Sequence, residues 1–584
     1  MINSSILRVL SILMFIAVYL FVPHFYHQRI AVGIYKIDFY FIWMFGSVCL
    51  IYSLLSNSIT FKRTPIIYFV GGIYFIGLCI FNSDSDQNTV YACLTSVCCL
   101  GILFYLREIS NSRYHHIPIV VILFGYIIQV YIGYSQAISN KWESLSISGS
   151  LYNSGFFGNY LAAMLPMLLS GCFKKSSLNI YFRFVFFTAF IVSMALLVAT
   201  FARAAFIGSF LGCGIVLFHY LKKIRIKKRL IIILTSGCLL FLPLIMIGLY
   251  ILKPSSALGR LTIYKVSFNI LKEHPFTGVG PNRFSAVYNN YQASYFKNEK
   301  VPIPIQLIGD DTTEAFNSLL QVLVEYGLAG VILLVGFIFN LIHVLKKCNN
   351  LKRTNWSYIG SLGCVISILV CSLFSNPFHV TPILLLFVFH LSSVLPNPKK
   401  DIFISSRAKF ISLLLCLVFS FFTLFYGWKN YVAESTWYIA SESAKFDGFV
   451  KATKHYQKAF TTLKYNGGFL FNYGAEAFLG KDYALAIKLL ERAKNYNSFS
   501  NLFLYLGDAY SAIHDYASAE RNYLHAIFIA PSHTYPKYQL IQLYKVWGKP
   551  ESVRAWTNHT LQFPVKVHSS SIDYLHKELK KLKN

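Results

Sequence analysis

The sequence predicts an all-α protein: a polytopic membrane helix bundle of about 13 spans followed by a polar, repetitive helical domain. Three observations carry the prediction. Of 584 residues 55% are hydrophobic and only 13% charged, with a mean hydropathy of +0.51, where soluble chains carry about twice that charged share. Apolar stretches long enough to cross a bilayer recur from the N-terminus to about residue 427. Beyond them, short motifs repeat at an offset of 33 residues. The charges divide accordingly, with 12 acids and 34 bases up to Tyr431 and 12 acids and 19 bases after it.

Taken in order, spans are predicted near 6–23, 38–55, 64–81, 89–106, 117–136, 156–172, 181–199, 204–221, 230–251, 327–345, 358–374, 379–395 and 409–427. The first run lacks a small-residue cleavage site and reads as a retained helix rather than a signal peptide. Between the seventh and eighth spans, Thr200-Phe201-Ala202-Arg203 has to serve as a very short turn. Lysine and arginine collect in every even-numbered connection, most densely in Lys222 to Arg229, which places the N-terminus in the cytoplasm. Thirteen spans then put the long segment 252–315 and the tail on the far side together. This gives a membrane domain over 1–428 and a tail domain over 429–584.

A net charge of +29 would suit nucleic acid, but the bases lie in short loops between apolar runs, so no nucleic-acid partner is expected and membrane lipids are. The 12 cysteines fall almost entirely in apolar runs and read as small core residues, and no cysteine–histidine spacing suggests a metal site.

In the tail, Tyr473-Gly474-Ala475-Glu476 is echoed by Leu506-Gly507-Asp508-Ala509, and Asp482-Tyr483-Ala484 by Asp515-Tyr516-Ala517. Small residues at fixed places let paired helices approach closely, while tyrosine and leucine fill the space between pairs. The pattern resembles the tetratricopeptide repeat, with two good repeats, a decayed third from Tyr535 and another starting at Glu434; the alternative is one irregular helical bundle. Such a surface offers a place for a protein partner.

A chain with this many spans could be a transporter, a channel or an enzyme. Midspan charges are nearly absent, whereas ionisable groups gather on the far side: Arg203, Arg260, Lys265, Lys272, His274, Arg283, Asp310, Asp311, Glu314 and Glu325. That distribution favours an enzyme at the membrane–water boundary over a polysaccharide transporter or flippase, or a membrane-anchored repeat scaffold. Four patches stand out. They are Phe201-Ala202-Arg203 through Gly208; Gly259-Arg260 to Lys265; His274-Pro275 through Gly278, Gly280, Asn282 and Arg283; and Glu314-Ala315-Phe316-Asn317 to Gln321, followed by Glu325-Tyr326-Gly327.

In their order and topology these patches resemble the superfamily of O-antigen ligases, Wzy-type polymerases and protein O-oligosaccharyltransferases, over roughly residues 150–395. The resemblance implies a GT-C-like bundle in a bacterial inner membrane. It further implies metal-independent transfer of a glycan, without a cofactor, from an undecaprenyl-pyrophosphate carrier to an acceptor hydroxyl on a glycolipid, a growing polysaccharide or a protein. Family arginines match Arg203 and Arg260, which would hold the departing pyrophosphate; Lys265 and Arg283 are further candidates for binding it. Many ligases carry a histidine just before the third motif's asparagine, but here Phe316 stands before Asn317 and cannot accept a proton. Glu314, Asp311 or Glu325 is left to act as the base, with His274 a further possibility. Asn153 and Asn159 are candidates to bind sugar hydroxyls, Tyr288 to Tyr295 to stack on sugar rings, and Ser375 to His379 reads as a structural turn.

Overall fold

The structure is a computed structural model that describes residues 9, 11–20, 22, 37–55, 86–110, 116–143, 146–173, 176, 178–223, 254–347, 355–395 and 406–582. All regular structure among these residues is helical. The expected spans 64–81 and 230–251, and most of the Lys222–Arg229 cluster, lie outside the described residues.

Eleven apolar segments meet the remaining eleven expected spans. Seven are long enough to cross a membrane, and four, Ser11–Leu20, Ile37–Ser53, Trp356–Ser372 and Thr381–Val394, are shorter. In chain order the membrane part comprises α1 (Ser11–Leu20), α2 (Ile37–Leu55), α3 (Gln87–Ile109), α4 (His116–Ser139), α5 (Ser154–Ala162), α6 (Leu165–Cys172), α7 (Ile180–Thr200) and α8 (Arg203–Lys223). The segment that follows holds α9 (Pro254–Glu273), α10 (Phe284–Asn298) and α11 (Ile303–Ile308). The membrane part resumes with α12 (Ser318–Lys347), α13 (Trp356–Ser372), α14 (Thr381–Val394) and α15 (Ser406–Asp447).

Three expected boundaries shift, each for a local reason. The sixth span is two helices, because the proline at 166 cannot donate to the turn before it and the helix breaks at Ala163 and Met164. The tenth begins at Ser318, nine residues early, and loses helical geometry at Gly327 (φ 63°, ψ −162°). The last does not stop at residue 427, since α15 runs unbroken for 42 residues across the expected domain boundary. The short turn between α7 and α8 is as expected. Phe201 closes α7 in the left-handed region (φ 51°), and Arg203 opens α8 two residues later.

The tail continues as helix pairs: the end of α15 with α16 (Phe449–Leu463), α17 (Gly467–Leu479) with α18 (Tyr483–Ala493), α19 (Ser500–Ala512) with α20 (Tyr516–Ile529), and α21 (Thr534–Val546) with α22 (Pro550–Gln562), closed by α23 (Ser570–Lys581). The turn inside each pair passes through a residue of positive φ, and the last three turns share one cap geometry. Gly448, Lys481, His514 and Gly548 all have positive φ, at steps of 33, 33 and 34 residues. Asp482 and Asp515 cap the following helices identically, each accepting from a backbone N–H three residues on at 3.1 Å. The apolar core of the pairs centres on Tyr456, Phe469, Leu490, Leu502 and Leu506.

Candidate functional site

The geometry of the site begins at the break in α12. Glycine at 327 takes a conformation open to no other residue, and the backbone of Phe276 lies where a side chain would begin. The loop after α9 enters this gap and takes up the hydrogen bonds the helix has lost. Val279 and Gly280 donate to the carbonyls of Val324 and Glu325, both at 3.0 Å, while Leu328 and Ala329 donate to those of Pro275 and Phe276. The two glycine-rich patches seen in the sequence are therefore the two halves of one joint. It fixes α9, which carries Arg260, against α12 and the Glu314–Asn317 segment leading into it.

Arg260 is mostly buried, and its guanidinium lies over the Phe316 ring, 5.8 Å from the centroid. Burial pulls its pKa below the usual arginine value, and the Arg203 guanidinium pulls in the same direction. The two arginines expected to act together are thus within electrostatic reach, although they are contributed by α8 and α9. The aromatic residue that replaces the expected histidine serves here as a cation–π platform for one of them. Phe316 itself is partly exposed and sits in the left-handed region (φ 50°). On the other side, Ala202 packs against Gly158 of α5, so this helix supports the turn that presents Arg203.

A polar network is built around the Glu314–Asn317 segment that carries Phe316. Glu314 Oε1 lies 3.8 Å from His379 Nδ1. The amide of Gln321 donates to Glu325 Oε1 at 2.9 Å and lies 3.1 Å from His379 Nε2. Its oxygen accepts from the Ala315 N–H and from Asn376. With the oxygen doubly engaged, the Gln321 nitrogen is the donor to His379, so Nε2 of His379 accepts and Nδ1 carries the proton toward Glu314. Glu325 is buried and accepts from the Asn282 N–H at 2.9 Å. The sequence reading placed Asn376 and His379 in a structural turn and Gln321 at the end of a patch, and gave none of the three a role in the site. The signal available was weak: an asparagine and a histidine in a short turn between two apolar spans.

The other expected site residues separate into two groups. Asn159 is buried and bonds Ser375 Oγ at 3.0 Å, close to the network. Asn317 and Asn153 cap the helices that follow them, accepting from Leu320 N at 3.0 Å and from Gly155 N at 2.8 Å. The remaining residues face the tail or solvent. Both Asp311 oxygens accept from Ser500, at 2.7 Å each, so this candidate base serves as an anchor for the tail. Arg283 donates to the Asn495 carbonyl at 3.2 Å. Lys265 pairs with Glu299 at 2.6 Å and stacks on Tyr295, and His274 is exposed at the end of α9. Tyr288 and Tyr295, expected to stack on sugars, are buried in the core of the loop domain.

Residues 188–335 match the family described as O-antigen ligase. That stretch runs from α7 through the arginine pair and the Gly327 joint into α12. Over these residues the chain is similar to the O-antigen ligase family, which supports the resemblance to the ligase/polymerase superfamily. The match covers neither the first six expected spans nor the tail. No curated protein matches the chain. The eleven apolar helices among the described residues and this match together point to a multi-pass membrane protein.

Proposed function

We propose that the protein is an O-antigen ligase-like glycosyltransferase of a bacterial inner membrane. It moves a glycan from an undecaprenyl-pyrophosphate carrier to a hydroxyl of a glycolipid, a growing polysaccharide or a protein on the periplasmic face, where the TPR-like tail also lies. The observation that carries this reading is Arg260, largely buried over the Phe316 ring within the matched segment, with Arg203 in electrostatic reach of it.

A lipid pyrophosphate has oxygens for both guanidinium groups, and its charge offsets their mutual repulsion. During transfer the acceptor oxygen attacks the anomeric carbon as the bond to the pyrophosphate breaks, inverting the configuration. Negative charge develops on the departing phosphate, between the arginines. The hydroxyl proton passes to Glu314, whose carboxylate is steadied by the Nδ1–H of His379. Glu325 is enclosed by Gln321 and Asn282 and serves to hold the joint.

The test uses purified protein and lipid-linked donor extracted from the producing cells. Arg260→Ala should abolish transfer at unchanged protein abundance, and Arg260→Lys should recover little of it, because an ammonium cannot make the paired bonds. Full transfer by Arg260→Ala would overturn the reading.

A further inference from the structure

A recess of about 520 Å³ lies where α10 meets α18, α19 and α20, between the loop domain and the tail. It is built from chain segments far apart in sequence and is held by contacts across it. Asn290 Oδ1 on α10 lies 3.0 Å from His525 Nε2 on α20, joining its two walls. Tyr510 donates to Glu491 at 3.1 Å, and Lys494 donates to the same carboxylate at 2.8 Å. Arg521 is fixed to the Ser518 hydroxyl at 2.9 Å. Phe503 forms an apolar wall behind the His525 ring, with ring centroids 4.1 Å apart.

We propose that this recess is a secondary glycan-binding site that holds polysaccharide away from the arginine pair. The inference rests on the glycan-transfer reading for its biological sense, though not for its chemistry. Three asparagines, Asn290, Asn495 and Asn522, line the recess with amides that donate and accept, as neighbouring sugar hydroxyls require. The volume lies in the range of sites for small ligands and suits a short run of sugars. A protein partner would need apolar anchors to bury, but Phe503 is only 5% exposed. A polyanion would find Lys494 already paired with Glu491, which leaves Arg521 as the one lining cation without a carboxylate bonded to it.

The recess is also tied to the reaction site. Arg283 at the start of α10 bonds Asn495 on its rim, and α10 packs on α9, which carries Arg260. Chain held here would be tethered close to the acceptor position, which raises its effective concentration for the next transfer.

The test is saturation-transfer NMR on the full chain in nanodiscs, with lipid-free polysaccharide released from the producing cells by mild acid. Binding should weaken about tenfold in the Asn290→Ala/Arg521→Ala double variant. It should weaken likewise in Ser518→Trp, which fills the recess and removes only the Arg521–Ser518 bond within α20, leaving the Asn290–His525 contact between the walls, and it should persist in Arg260→Ala. Unchanged binding in both recess variants would overturn the proposal, as would its loss in Arg260→Ala or displacement of the polysaccharide by polyglutamate. Binding that follows this pattern in a wild-type protein showing no transfer would instead remove the function proposed above and leave the recess standing.

Discussion

The backbone of Phe276 occupies the space into which a side chain on Gly327 would grow. The loop after α9 and the broken helix α12 are therefore fitted to each other at one residue, and that residue must be glycine. Gly327→Ala should destabilise the protein by about 1–3 kcal/mol through backbone strain, with displacement of the loop adding to it. Thermal unfolding in detergent checks this, and a variant with the parent's midpoint would contradict it. A change of similar size elsewhere in α12, such as Leu328→Ala, lacks the backbone term.

Glu314 and His379 should separate in kinetics. Glu314→Gln removes the proton acceptor and should lower kcat by roughly 100-fold or more at little changed donor KM. His379→Ala leaves the carboxylate but frees its orientation, so a fall of about tenfold is expected, partly recovered by His379→Asn, which restores a donor. Initial rates with purified donor decide it, and equal losses in all three variants would point to a shared structural effect.

Tail docking should depend on Asp311 as an acceptor rather than as a catalytic group. Asp311→Asn retains one acceptor oxygen and Ser500→Ala removes only the hydroxyl donor, so either should weaken the seam by about 1–2 kcal/mol. Hydrogen exchange should rise in α19 and α10 while that of the membrane helices stays unchanged. A loss of transfer by Asp311→Asn as complete as that of Glu314→Gln would restore Asp311 to the mechanism.

One titration in the tail has a definite sign. Lys537 is 2% exposed, its ammonium 3.7 Å from the centroid of the Phe563 ring, and burial lowers its pKa from 10.5 to about 8. Above that value the unfolded chain holds a proton the folded chain has released, so stability rises with pH between about 8 and 10.5. The gain is at most about 3 kcal/mol, and Lys537→Met should abolish the slope and raise stability at pH 7. Chemical unfolding of the full chain followed through a tail tryptophan, at pH 7.5, 9 and 10, measures it.

Most of the fold was legible because the signals were periodic. Apolar runs announced the spans, and the 33-residue echo announced turns that recur at Gly448, Lys481, His514 and Gly548. The break before Arg203 was legible because so few residues separate two long apolar runs. What escaped the sequence depends on contacts between distant segments. Nothing near Asp311 signals that Ser500, 189 positions away, takes both its oxygens. The pairing of Glu314 with His379 crosses α12 and α13, and a histidine in a turn has no pattern to betray its partner. The last helix outruns its expected span because the apolar run ends near residue 427 while the helix itself continues to Asp447.

That continuing helix makes the membrane anchor and the first strut of the tail a single rod, about 63 Å long at 1.5 Å per residue. A rod of this length acts as a lever. Tilting it by five degrees moves its far end by roughly 5 Å, more than a hydrogen bond across the loop–tail seam can span. Whatever shifts the packing or the hydrophobic match of its membrane half thereby gains mechanical access to the loop–tail seam.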